Sequence, residues 1–363
     1  MTGPMVASRH EPETGGPSGP VLAALDLGTN NCRLLVARPR GDGFDVLDSF
    51  SRITRLGEGV AGSGRLTERA MARTIAALKV CARIMARHRV TRTRCVATEA
   101  CRRAVNGVAF LSRVRRVTGI ELEILPQEQE AELAMLGCLP LVDPDAEQVL
   151  LVDIGGGSTE VLWLDRSAAD GGLLLRCVAS VPIGVVSLSE AFTSEPDAAT
   201  FAAMVQQVSA LLAPIELAHG IGAATRAART QMLGTSGTVT TLAAVLLGLP
   251  RYNRRAIDGL LVDPAAIVAV SEQLRAMTNA SRTAHPCIGP GRADLVVAGC
   301  AILEAVLHCW PVASLRVADR GLREGLLHGL MGRTLARALA PRPATVPVRP
   351  GLAPGCVLGD TAA

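Results

Sequence analysis

The chain is expected to form an α/β protein of two domains flanking a central cleft. Short apolar runs of strand length alternate with longer segments whose apolar residues recur at helical spacing. One device also occurs twice, 127 positions apart: an apolar run ends in an aspartate and turns through glycine. The first copy is Asp26-Leu27-Gly28-Thr29-Asn30 after Val21–Leu25, and the second is Asp153 to Glu160 after Val149–Val152. At 363 residues the chain is long enough to bury two ordinary cores.

The elements follow in order. Residues 21–50 read as an antiparallel meander, with apolar runs at Val21–Leu25, Cys32–Ala37 and Phe44–Leu47. Leu66 to Arg89 is helical, because Ile75, Leu78, Ala82 and Met85 share one face and Thr67-Glu68 suits its start. A strand at Arg94–Thr98, a helix at Asn106–Thr118 and a strand at Glu121–Leu125 come next. A further helix opens just past Pro126 and runs from Glu128 to Gly137. Leu139 to Gln148 carries two prolines and three acids and reads as a linker. Beyond it the opening pattern restarts, with strands at Val149–Val152, Val161–Leu164 and Leu173–Ser180. Residues 197–218 and 222–230 are helical. The strand Gln231–Leu233 enters Gly234-Thr235-Ser236-Gly237-Thr238 and a helix that ends at Leu247. Residues 264–278 and 293–308 are helical, Ser314–Val317 is a strand, and Leu322–Leu339 is a last helix. This divides the chain into a disordered arm (1–20), a first domain (21–145), a second domain (146–318), a closing helix (319–339) that packs back on the first domain, and a proline-rich disordered tail (340–363).

Composition narrows the function. Hydrophobic residues make up 49% and charged residues 19%, as in a globular protein. Only eight side chains are aromatic, which argues against a nucleic-acid platform built on base stacking. The net charge is +4, and Lys79 is the sole lysine, so the positive charge is almost all arginine. The planar guanidinium fork suits phosphate oxygens and points to a polyanionic substrate; a coding bias toward arginine accounts for the same excess. The ten cysteines form no C-x-x-C pair and no zinc spacing with histidine, which fits reduced thiols in the cytoplasm. The N-terminal segment has no signal-peptide core, and the apolar stretch Leu295–Trp310 is interrupted by Glu304 and His308, so no membrane role is expected.

The glycine turns carry the chemistry. Backbone N–H groups at Gly28, Thr29 and Asn30 on one wall, and at Gly155, Gly156, Gly157 and Ser158 on the other, can cradle phosphate. Gly234, Thr235, Ser236 and Gly237 could add amides and hydroxyls, although the same residues would equally serve as a helix N-cap. Hydrolysis of a phosphoanhydride needs a metal, shielding of developing charge and a base for water. Mg²⁺ takes oxygen ligands, so Asp153 and Glu160 fit it better than any His or Cys.

These segments, together with Arg55-Leu56-Gly57-Glu58-Gly59-Val60, Ala97 to Arg102, Arg292-Ala293-Asp294-Leu295 and Asp319 to Gly325, resemble the exopolyphosphatase and guanosine-pentaphosphate phosphatase family over residues 21 to about 335. The resemblance implies two ribonuclease H-like (actin-like ATPase) domains in a short, two-domain form. It implies that Glu130, in Glu128-Gln129-Glu130-Ala131-Glu132-Leu133, is the catalytic base and that Arg102 contacts phosphate. Two positions depart from the family's pattern. Gln127 stands where a glycine is usual, and Glu132 stands where an arginine is usual, placing extra negative charge by the expected site. Three glutamates in the first turns would also simply complement the helix dipole.

The reading that follows is a cytoplasmic, Mg²⁺-dependent hydrolase that removes terminal orthophosphate from inorganic polyphosphate, guanosine pentaphosphate or both. Glu130 would activate water, Asp153 and Glu160 would hold metal and water, and the turns and Arg102 would hold phosphate. A homodimer is compatible; nucleic acid and membrane are not expected partners. The alternatives are an alarmone-binding regulator without catalysis, a phosphotransferase kinase on the same scaffold and an actin-like polymer. The first would lose the base, the second needs an acceptor-binding aspartate, and the third needs insertions this chain lacks. Arg251, Arg254 and Arg255 could touch a long acidic chain, but read first as a surface loop.

Overall fold

The computed structural model describes residues 19–192 and 197–339. Residues 1–18 and 340–363, the expected arm and tail, lie outside the described residues.

In the first lobe, β1 (Leu22–Leu27), β2 (Asn31–Arg40) and β3 (Gly43–Ile53) form the meander. They are followed by α1 (Val60–Ser63), α2 (Glu68–Arg87), β4 (Arg92–Ala97), α3 (Glu99–Arg103), α4 (Gly107–Thr118), β5 (Glu123–Ile124) and α5 (Gln127–Cys138). The second lobe opens with β6 (Gln148–Ile154), β7 (Thr159–Arg166) and β8 (Leu173–Val181). Then come α6 (Val185–Ala191), α7 (Ala198–His219), α8 (Ile221–Ala227), β9 (Thr230–Thr235), α9 (Gly237–Leu246), α10 (Arg254–Ile257) and β10 (Leu261–Val262). The chain ends with α11 (Pro264–Ala276), α12 (Asn279–Ala284), α13 (Val296–Cys309), β11 (Leu315–Ala318), α14 (Leu322–Leu330) and α15 (Leu335–Leu339).

The repeat read from two turns extends to the sheets. The first runs β3-β2-β1-β4-β5 and the second β8-β7-β6-β9-β11-β10. In each, the first strand of the lobe pairs antiparallel with the second and parallel with the fourth. Register matches too: Asp26 stands opposite Arg33 across β1–β2, and Asp153 opposite Glu160 across β6–β7. β1 and β6 are buried on both faces, as central strands flanked by a parallel neighbour must be, so their runs are apolar until the terminal acid.

Between the sheets, α5 packs on β6, β7 and β8 while α14 packs on β1, β2 and β4, and the two helices lie against each other. Their backbones meet at glycines. A Cβ on Gly137 would stand 2.1 Å from the Gly321 carbonyl oxygen, and one on Gly325 would stand 1.9 Å from that of Leu133. This close approach needs the missing side chains and fixes both helices beside the strand ends.

Several elements differ from expectation. The last helix is two, because Gly332 at φ 82° breaks it after Leu330. The strand expected at 121–125 keeps only Glu123–Ile124, and the helix expected from 293 starts at Val296, after Pro290 and Gly291. Helix α7, rather than 295–310, is the most membrane-like segment, at 22 residues and mean hydropathy 1.4. Within the fold Phe201, Met204, Val208 and Leu212 bury one of its faces, and α13 packs beside it.

A latch joins the lobes beside the cleft. Both Arg55 terminal nitrogens meet the Asp294 carboxylate, at 2.9 and 2.8 Å. The Gly59 amide donates to Glu190 Oε1 at 2.8 Å, and Ser189 Oγ donates to the Asp294 carbonyl at 3.0 Å. Arg55 itself lies in the left-handed region at φ 49°.

Two outcomes follow. Gly325→Ala should lower the unfolding free energy by at least ~2 kcal/mol through overpacking. Gly329→Ala, whose nearest neighbour is an arginine nitrogen 3.7 Å away, should be neutral or stabilising by ~0.5–1 kcal/mol; equal denaturation midpoints for the two would refute the glycine contact. The partly exposed latch is worth little stability, about 0–1 kcal/mol. Arg55→Ala should therefore leave the melting temperature almost unchanged while raising the radius of gyration in solution scattering. Scattering curves identical to the parent's would refute its role in holding the lobes together.

Candidate active site

The two acidic turns come together at the centre of the molecule. They line one cavity of about 470 Å³ with Glu130, Glu160 and the first turns of α9 and α14. Each turn is closed in the same way: the Gly28 amide donates to the Asn31 carbonyl at 2.9 Å, and the Gly155 amide to that of Ser158 at 2.9 Å. The turns' carbonyls are held from behind. Thr54 and Arg55 amides donate to the Asn30 carbonyl and Gly57 to that of Thr29, all at 2.9 Å. Val185 and Val186 amides donate to the Gly155 and Gly156 carbonyls at 3.0 and 2.8 Å. The amides of Thr29, Asn30, Gly156 and Gly157 make no hydrogen bond among the described residues, so they remain available to an anion.

The turns also touch. A Cβ on Gly156 would lie 2.9 Å from Thr29 Cβ, and one on Gly157 would lie 2.8 Å from Thr29 Oγ1. These glycines are required because the lobes close on each other there.

Four carboxylates gather on one side. Asp26 and Asp153 end the two central strands; Glu160 comes from β7 and Glu130 from the first turn of α5. Burial raises the Asp26 pKa, and burial lifts Asp153 to about 6, with Asp26 adding repulsion and Arg33 opposing it. Glu160 is raised to about 7 by burial and then by Asp153, although it accepts a hydrogen bond from Ser180 Oγ at 2.9 Å. Glu130 lies well above the ordinary carboxylate range through burial and then the Glu160 charge, while Arg102 pulls it back. Perturbed acids in one cavity mark a functional site.

Cations line the other side. Gly237, which opens α9, lies between the guanidinium groups of Arg33 and Arg292; a Cβ there would stand 3.9 Å from Arg33 Nη2 and 3.9 Å from Arg292 Cζ. Arg292 donates to Thr241 Oγ1 at 3.1 Å. Arg33 and Arg323 make no hydrogen bond or ion pair among the described residues, and burial lowers the Arg323 pKa. Half-buried cations without partners close to helix N-termini call for an anion. Ser236 supplies a further sign, since a non-glycine residue at φ 103° stores strain inside the cavity wall.

Most of the expected residues meet here: Gly28, Thr29, Asn30, Glu130, Asp153, Gly155, Gly156, Gly157, Ser158, Glu160, Thr235, Ser236 and Gly237 all line the cavity. Three expectations need correction. Gly234 lies within β9, packed against Leu315 and Val239, and does not reach the cavity. Arg102 is turned toward protein groups: it pairs with Glu99 at 2.8 Å, meets Glu130 Oε2 at 3.3 Å and donates to the Leu125 carbonyl, so it holds Glu130 rather than lining the cavity. Glu132 does not line the cavity, because two residues turn a helix by about 200°. At the other unusual position, Gln127 Nε2 approaches the Glu99 carboxylate at 3.5 Å.

Arg33, Arg292, Arg323, Glu99 and Arg254 had no assigned site role. Arg254 leaves the supposed surface loop to pair with Glu324 at 2.8 Å. Arg33 could have been found from the duplicated hairpin, since it occupies in the first lobe the register position of Glu160 in the second.

Comparison with known proteins adds the lineage. Residues 35–334 match the model of the Ppx/GppA phosphatase family. The chain belongs to this family. It is 32% identical over 301 residues to Exopolyphosphatase 2 of Mycobacterium tuberculosis, covering 78% of this chain and 88% of the relative. It is 27% identical over 322 residues to the guanosine-5'-triphosphate,3'-diphosphate pyrophosphatase of Photobacterium profundum, covering 85% of this chain and 59% of that relative. Among solved structures, the Aquifex aeolicus Ppx/GppA family member aligns at TM-score 0.69 and 30% identity over 86% of this chain and 97% of its own. An exopolyphosphatase from Cytophaga hutchinsonii aligns at TM-score 0.78 and 26% identity over 87% and 99%. The Ppx/GppA fold, two actin-like domains around a cleft, is thus the fold of this chain.

The carboxylate cluster has a measurable cost. In the unfolded chain Asp153 and Glu160 ionise near 3.8 and 4.5, whereas in the fold they hold protons to about 6 and 7. Between those limits the folded state binds more protons, so stability falls as pH rises through this window. In chelator-containing buffer Asp153→Asn should raise the melting temperature by ~2 °C or more at pH 8, with a smaller gain at pH 5. A variant no more stable than the parent at pH 8 would refute the crowding.

Proposed function

We propose that this Ppx/GppA protein is a Mg²⁺-dependent phosphoanhydride hydrolase that releases terminal orthophosphate from inorganic polyphosphate, guanosine pentaphosphate or both. One observation carries the reading: a half-buried glutamate, Glu130, stands with Asp153 and Glu160 in the same cavity in which Arg33 and Arg323 make no hydrogen bond or ion pair among the described residues and Arg292 approaches a helix N-terminus. The two substrates share a terminal anhydride, and the named relatives include enzymes for each.

The terminal phosphate would enter between the cations and the turn amides. Arg33, Arg292 and Arg323 would take its oxygens, and the N-termini of α9 and α14 would add their positive dipole ends. Glu130 would accept the proton of the attacking water, oriented by Arg102, which is in turn held by Glu99. Closure of the lobes would exclude bulk water.

A divalent cation fits the donor set. The acids are all oxygen donors, and their mutual repulsion is what an ion of opposite charge relieves. Mg²⁺ keeps several waters, so Asp153 and Glu160 would suffice together with substrate oxygens. When bound by Asp153 and Glu160, Mg²⁺ would neutralise charge on the anhydride and ease the repulsion that raises Glu130.

The same reading places the enzyme in the cytoplasm, in keeping with nine described cysteines that are all free thiols. It includes a homodimer, for which α7 offers an outward face with Leu217 89% exposed. It includes no nucleic-acid or membrane partner.

The test is orthophosphate release from long-chain polyphosphate and from guanosine pentaphosphate. Glu130→Gln should lose at least ~10² in rate, the scale of a general base. Turnover close to the parent's would remove the base assignment. Asp153→Asn should weaken the magnesium dependence, and an unchanged requirement would count against its role.

A further inference from the structure

The first lobe carries a charge pattern that the cavity does not use. Between residues 52 and 116 there are fifteen arginines and one lysine against three acids, whereas the whole chain carries only +4, so the remainder is net negative. Helix α2 concentrates this excess. Its inner face, including Met71, Thr74, Leu78 and Cys81, is buried on the sheet. At 100° per residue, Arg69, Arg73, Lys79, Arg83 and Arg87 fall along the opposite side, over a helix about 30 Å long. After Glu68 the helix has no acid.

An ordinary solvated helix face mixes signs and gains from i,i+4 pairs. Here Arg69–Arg73, Lys79–Arg83 and Arg83–Arg87 are like-charged at that spacing, which costs the helix stability. Arg69, Lys79 and Arg83 are exposed and have no ion pair or hydrogen bond among the described residues. Arg73 pairs with Glu58 and Arg87 with Asp48, which leaves three uncompensated cations along the stripe as an electrostatic footprint for a polyanion.

Its position relates it to the cavity. α2 packs on β2 and β3, and β3 is the free edge of the first sheet. Arg73 Nε donates to the Thr54 carbonyl at 2.9 Å, and Arg87 pairs with Asp48, so the helix runs along β3. Ser49 and Ser51 of β3 line the cavity, and Arg52 beside them is exposed. A chain leaving the cavity over this edge meets Arg52 and then the α2 stripe. α2 carries no aromatic side chain, and the ring of Phe50 beside it is covered by Arg52 at 5.2 Å, which favours an inorganic chain over one whose bases need stacking.

We propose that the exposed face of α2, with Arg52, is a docking track for the inorganic polyphosphate chain beyond its reacting end. The inference rests on the phosphatase reading and adds a binding surface outside the catalytic cavity.

The experiment compares the parent with the triple variant Arg69→Ala, Lys79→Ala, Arg83→Ala, which should fold because all three side chains are exposed. Binding is measured in the Glu130→Gln background with tripolyphosphate, long-chain polyphosphate and a single-stranded RNA of matched charge. Turnover is measured with Glu130 intact. The triple variant should bind the long chain about tenfold more weakly, with a log–log salt slope shallower by about 2, while tripolyphosphate binding and hydrolysis stay within about twofold. Unchanged long-chain affinity and salt slope would overturn the track and leave the catalytic reading standing. Failure of the parent to release phosphate from any chain length would overturn the catalytic reading and the track with it. Tighter binding of RNA than of polyphosphate, lost in the triple variant, would overturn the proposal in favour of a nucleic-acid surface.

Discussion

Everything at the centre of this molecule depends on negative charge being brought together where two strands end. Asp26 and Asp153 terminate equivalent strands, and the lobes close until the turns behind those acids are in contact. Glu160 and Glu130 join them, and burial raises all four carboxyl groups. Such crowding opposes folding unless something positive answers it. Arg102 answers it for Glu130 and Arg33 for the aspartates, yet Arg33 and Arg323 remain without a bonded partner. Acids wanting a cation and cations wanting an anion share one cavity, a combination suited to a metal–phosphate ligand.

The scaffold tolerates this strain because the surrounding structure is rigid and duplicated. Apolar strands lock β1 and β6 in place, and the glycine contact between α5 and α14 pins the helices whose first turns carry Glu130 and Glu324. Behind the turns, the Arg55 loop and the start of α6 take up the carbonyl groups, so the amides can face a ligand at no cost in unmade carbonyl bonds. The Arg55–Asp294 latch joins the first of these supports to the segment carrying Arg292, which links lobe closure to the cavity's cationic lining.

Arg102 shows how a residue's role changes with its neighbours. The family resemblance led to the expectation of a phosphate contact, but Glu99, Glu130 and the Leu125 carbonyl occupy its guanidinium. Its neighbour in the arrangement, Gln127, adds an amide toward Glu99. The extra acid at Glu132 is directed away by helix geometry, so its charge does not enter the cavity.

Much was legible from residues alone. Runs of apolar side chains with period 2 or 3.6 fix strands and helices locally, and an aspartate followed by glycines marks a turn wherever it occurs, so both acidic turns, the place of Asp153 and Glu160 beside them, and the two-lobed plan could be read directly. Glu130 was singled out by the family resemblance. The ends of elements were less readable, as at Gly332, because one glycine's backbone freedom decides them. What only the tertiary structure decided were the partners: Arg33, Arg292, Arg323 and Arg254 come from four separate segments, and nothing in a chain so rich in arginine distinguishes those aimed into the cavity from those facing water. Charge acts through space, and the distances that set burial, pairing and proton affinity exist only once the lobes have closed.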